Sequence, residues 1–106
     1  MTQKQARRKC LAILNDWREV PGLAIYPFAE KYCGTNSRST ISRAVSTPER
    51  TGLLPYWVMT AAITLTNEAM AGGKHKEASR WISRLLDARA TIIAALPNAT
   101  KKRGRK

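Results

Sequence analysis

At 106 residues the chain has room for about one domain with a single core, and none for a large catalytic cleft between two lobes. Nineteen Lys and Arg against seven Asp and Glu give a formal charge of +12 and a pI near 10.6, so the expected partner is a polyanion, with nucleic acid first. A membrane surface would attract the same charge, but the longest apolar stretch, Leu53 to Leu65, is broken by Pro55 and Thr60 and is too short to span a bilayer.

Along the chain, residues 3 to 19 put Ala6, Cys10, Ile13, Leu14 and Trp17 on one helical face, with Lys4, Arg7 and Arg8 off it. The opening MTQKQARRKC has no apolar segment behind its charges, which fits a cytoplasmic rather than a secreted protein. Val20, Pro21 and Gly22 end the helix, because Pro21 cannot donate to the ladder and Gly22 suits a turn. A short second helix is expected around Pro27, burying Phe28, Ala29 and Tyr32 and stopping at Gly34 in the left-handed region.

Asn36 or Ser37 can cap a third helix over 37–45, whose apolar stripe is Ile41, Ala44 and Val45. STPER then offers a single turn with Ser46 or Thr47 as cap, Pro48 in its first turn and Glu49 near the positive dipole end. From Pro55 the run YWVMTAAITLTNEAM is apolar on most of its circumference up to Gly72 and Gly73, as in a helix enclosed by others. The last helix, from about His75 to Leu96, has Ala78, Trp81, Ile82, Leu85, Ile92, Ala95 and Leu96 as its apolar face, and Pro97 closes it.

Its other face aligns Lys76, Arg80 and Arg84 at four-residue spacing, with Ser79 and Ser83 beside them, as a phosphate-tracking stripe or a merely solvated one. Residues 101–106 add Lys101, Lys102, Arg103, Arg105 and Lys106 in a segment without apolar side chains. Such a tail is expected to be disordered until it meets a polyanion. No strand-type alternation extends beyond a few residues. The expected fold is all-α: a compact bundle of about five helices over 1–97, followed by a basic tail over 98–106.

Residues 25–46, IYPFAEKYCGTNSRSTISRAVS, resemble the helix-turn-helix of prokaryotic and phage regulators of the Cro and repressor type. The likeness rests on Ala29 in the first helix, Gly34 at the turn and Ile41 in the second helix. The intervals between them, five and seven residues, are each one longer than that family's, so the turn is expected to be longer. The resemblance implies that the second helix enters the major groove. Ser37, Arg38, Ser39, Thr40 and Arg43 are then its base-contacting side chains, with Ser42 at the edge. Lys76, Arg80, Arg84 and the tail would contact phosphate.

Catalysis has little to stand on: there is one histidine, His75, no nucleophile or metal-hydrolase motif, and the acids are scattered singly. Cys10 and Cys33 have no CxxC spacing, so reduced, partly buried thiols are expected, with neither metal nor cofactor. The expected function is therefore a DNA-binding regulator or accessory protein of bacterial, phage or plasmid type, acting on duplex DNA. A homodimer would double the site that one short helix can read. Two alternatives carry the same charge: an RNA-binding protein, or a small inhibitor or assembly protein docking its basic surface on an acidic partner.

Overall fold

The structure is a computed structural model that describes residues 2–97. It contains five α-helices, α1 (Gln3–Trp17), α2 (Ile25–Tyr32), α3 (Arg38–Ser46), α4 (Leu54–Ala71) and α5 (His75–Ala95), with a 3-10 turn, Pro48–Arg50, between α3 and α4. No strand occurs among the described residues. The expected phosphate-binding tail residues Lys101, Lys102, Arg103, Arg105 and Lys106 lie outside them.

Helix α1 starts with a capping box, in which the Thr2 hydroxyl accepts from the Gln5 backbone N–H at 3.1 Å and the Gln5 side chain accepts from the Thr2 N–H at 3.0 Å. It ends at Trp17, the last residue of its apolar stripe and two before the expected residue 19, because Gly22 (φ +75°) lets the chain reverse and Arg18 ties the turn by donating to the Leu23 carbonyl at 3.0 Å. Gly34 (φ +76°) ends the α2 segment in the same way, and Gly73 (φ +72°) turns α4 into α5.

Helices α4 and α5 form an antiparallel hairpin, and α1 lies along α5 in the opposite direction. Trp17 meets Trp81 edge-to-face at 5.5 Å near one end of that pair, while the Gln3 side chain donates to the Leu96 carbonyl at the other. Ala6, Cys10, Leu14, Trp81, Ala88, Ile92 and Ala95 are buried along the two helices. On the other side of the bundle, α2 packs on α4, where Phe28 and Ala29 are buried and the Tyr32 hydroxyl donates to the Glu68 carboxylate at 2.9 Å. Lys31 pairs with the same carboxylate at 3.7 Å.

Two apolar surfaces differ from the sequence expectation. Helix α4 is not enclosed all round: Tyr56, Ile63 and Met70 project from the side opposite its buried face. On α5, Ile82 is half exposed and Ala88 is buried in its place. Helix α5 contacts both α1 and α4, so its buried strip centres on Trp81, Ala88 and Ile92 and leaves Ile82 to one side. Both thiols are free and buried, and burial pushes Cys10 up to about 11 and Cys33 up to about 12.

The junction at the start of α1 depends on Arg7, a residue that its helical pattern assigns to solvent. Its guanidinium donates to the Glu49 carbonyl at 3.1 Å and to the Ala95 carbonyl at 3.4 Å, joining α1 to the 3-10 turn and to the open C-terminal end of α5. Replacing Arg7 by Ala is expected to destabilise the fold by roughly 1–3 kcal/mol, since two part-buried carbonyls lose a charged donor. Arg8→Ala removes only a surface pair with Glu49 and should leave the midpoint nearly unchanged. Urea denaturation followed by far-UV circular dichroism measures both.

Candidate nucleic-acid interface

Helix α3 is held from below by Ile41 and Ala44, both fully buried, with Val45 packed beside them. Ser37 caps it: its hydroxyl accepts from the Thr40 N–H at 3.3 Å and from the Thr40 hydroxyl at 3.0 Å, and it lies 3.2 Å from the Ser39 hydroxyl. Two of the five expected base-contacting residues, Ser37 and Thr40, are thus engaged in starting the helix, although Ser37 remains exposed and Thr40 half-buried.

Arg38, Ser39 and Arg43 are exposed, and neither arginine forms an ion pair among the described residues. Their arrangement follows from helical spacing. Arg38 and Arg43 lie at the two margins of the outward face, about 140° apart on the 3.6-residue wheel, with Ser39, Ser42 and Ser46 between them. Nothing bulkier than a hydroxymethyl group stands between the two guanidinium groups. Ser46 does not cap the following turn as expected; its hydroxyl donates back to the Ser42 carbonyl at 2.7 Å, and Thr47 does the same to the Arg43 carbonyl at 2.9 Å. The Arg43 carbonyl thus accepts from both the backbone N–H and the hydroxyl of Thr47, so the hydroxyls reinforce the last turn of the helix.

Beyond Thr47 the chain enters the 3-10 turn, which packs on the first half of α1. Arg50 is exposed there, and Lys4 lies between Arg7 and Arg8 around the α1 wheel, on the side facing the turn. Glu49, the one acid in this region, is occupied by Arg8. Its own backbone N–H and then Arg8 hold its carboxyl below the usual range. Leu96, with its carbonyl on Gln3, brings the chain to this same pole just before residues 98–106. Lys4 and Arg50 do not stand out in the helical pattern; Lys4 falls in the acid-free stretch before Asp16, but Arg50 follows Glu49 directly and nothing in the sequence marks it.

The stripe expected on α5 is divided. Lys76 and Arg80 are exposed, but the Arg84 guanidinium lies 4.4 Å from the Trp81 ring centroid, in a hollow it shares with Asp16 and Asp87. Glu77 flanks Lys76, and Glu19 lies in the turn after α1, so the acids collect at this end of the molecule. No helix among the described residues is long and apolar enough to cross a membrane. No protein-family model, no curated protein and no solved structure matches the chain.

The cap and the outward face can be separated by substitution. Ser37→Ala should cost about 1 kcal/mol of stability through removal of the cap, whereas Ser39→Ala should stay within about 0.5 kcal/mol. Thermal unfolding of the two variants beside the parent reads the difference.

Proposed function

We propose that the chain is a nucleic-acid-binding protein that acts on double-stranded DNA as a regulator or accessory factor, presenting α3 to the major groove. The observation that carries this reading is the outward face of α3: two unpaired arginines flanking a serine-lined strip, on a helix pinned by Ile41 and Ala44. Arginine can donate to guanine O6 and N7 as a fork, and the short serine side chains between let a base-pair edge approach the helix closely. Lys4 and Arg50 supply positive charge beside that helix at the pole from which the basic tail departs, and phosphate is the group they suit.

The aromatic side chains favour duplex over single-stranded partners. Trp17, Trp57 and Trp81 are 4%, 5% and 1% exposed, so none is free to stack on an unpaired base. Tyr56 is half exposed, but it stands on α4, on the side turned away from the core.

Mobility-shift titrations with selected duplex, random duplex, single-stranded DNA and RNA at one salt concentration test the reading. Arg38→Ala and Arg43→Ala should each weaken binding to the selected duplex by roughly 1–3 kcal/mol and leave random duplex nearly unaffected, with unchanged helical signal. No retained binding at low salt would sink the proposal and leave an acidic protein as the partner to seek.

Phosphate anchoring makes a different demand. Arg50→Ala, or removal of residues 101–106, should weaken binding to every duplex and make the log affinity against log salt plot shallower, by roughly 0.9 for each phosphate no longer neutralised. Arg80→Ala, at the end where the acids gather, should change the slope little. An Arg80 effect larger than that of Arg50 would move the phosphate path onto α5.

A further inference from the structure

The α4–α5 hairpin leaves one long side uncovered. On α4, Tyr56, Ile63 and Met70 recur every seven residues and are 47%, 53% and 51% exposed. On α5, Ile82, Leu86 and Ile93 are 49%, 61% and 56% exposed. The two rows meet across an open groove of about 330 Å³, where Met59 and Ile63 face Leu85, Leu86, Ile93 and Leu96. Arg89 is the one charged side chain in its lining.

Single exposed hydrophobics are ordinary, but two aligned rows joined by an apolar groove mark a contact surface. A seven-residue recurrence is the spacing at which one helix keeps the same edge toward another, so the fitting occupant is itself helical. The six exposed side chains offer roughly 600 Å² on one molecule, most of the ~800 Å² per partner in a standard stable interface. Residues 98–106 do not suit it, because they contain no apolar side chain larger than alanine.

We infer that a second copy of this chain covers the face, related by a two-fold axis, so that two α4–α5 hairpins pack into a four-helix layer. A two-fold contact requires a patch that complements itself, and an apolar two-helix surface with a groove between its rows does so. Charge points the same way. A molecule of net charge +12 repels its own kind over most of its surface, and the groove at the centre of this face contributes only Arg89 to that repulsion. The Arg89 stem can lie along the apolar floor with its guanidinium at the solvent rim. The inference stands apart from the nucleic-acid reading and is tested on full-length protein freed of nucleic acid.

Sedimentation equilibrium or light scattering up to about 100 µM, enough to populate a dimer of micromolar affinity, should give twice the chain mass. Leu86→Glu and Ile63→Glu should each weaken association roughly tenfold or more, while Leu86→Ala has a smaller effect. These positions are exposed in one copy, so the helical signal should persist. Ser39→Glu, on α3, should leave the mass doubled. A single-chain mass throughout the concentration range overturns the inference, as does association that survives both glutamate substitutions. A chain that stays single but sediments with uncharged lipid vesicles through Leu86 also overturns it, assigning the face to lipid.

Discussion

The antiparallel seating of α1 against α5 is the constraint on which the remaining architecture hangs, because it is fixed at both ends by different chemistry. At one end Trp17 and Trp81 meet edge-to-face, an interaction worth roughly 0.5–1.5 kcal/mol beyond its buried area. At the other, the side chains of Gln3 and Arg7 satisfy carbonyls that α5 leaves open where it stops. Arg7 extends the same tie to the 3-10 turn, and the turn sets where α3 ends. A helix of nine residues has little stability of its own, so its orientation is imposed by these neighbours.

The basic side chains divide accordingly. Arg7, Arg18 and Arg84 are committed to the fold, donating to carbonyls or lying over a tryptophan ring. Lys31 and Arg8 are held by Glu68 and Glu49. Arg38, Arg43, Arg50 and Lys4 are exposed on α3, the 3-10 turn and the N-terminal half of α1, with Glu49 as the single acid among them. The excess of positive charge is therefore not spread evenly: the acids lie mainly toward the ends of α1 and α4 and the start of α5, away from this pole. Composition gives the excess of positive charge, but only the packing separates the exposed arginines from those already engaged.

Helix positions were legible in the sequence to within about two residues, because each stop has a local cause. Gly22, Gly34 and Gly73 all adopt positive φ, and Ser37 caps α3 as its position ahead of Ile41 implies. What the periodicity could not resolve was the side of a helix that touches two partners. Ile82 reads as core and is half exposed, while Ala88, outside the stripe read on α5, is buried beside Ile13 and Trp17 of α1. Arg7 was hidden for a related reason, since its partners are backbone carbonyls 42 and 88 residues away. In the candidate interface, Arg38, Ser39 and Arg43 were legible from the turn and the stripe. Lys4 and Arg50 were not, because only the docking of the 3-10 turn on α1 brings them together.

The closure at the α1–α5 pole also has a consequence for the order in which the molecule is made. The α4–α5 hairpin joins segments close in sequence and can form early, whereas seating α1 on α5 closes a loop that spans nearly the whole described chain. During synthesis the side chains of Gln3 and Arg7 emerge well before the carbonyls of Leu96 and Ala95 to which they donate. A nascent chain therefore presents these side chains unassembled until α5 has left the ribosome, and the basic pole takes shape only then.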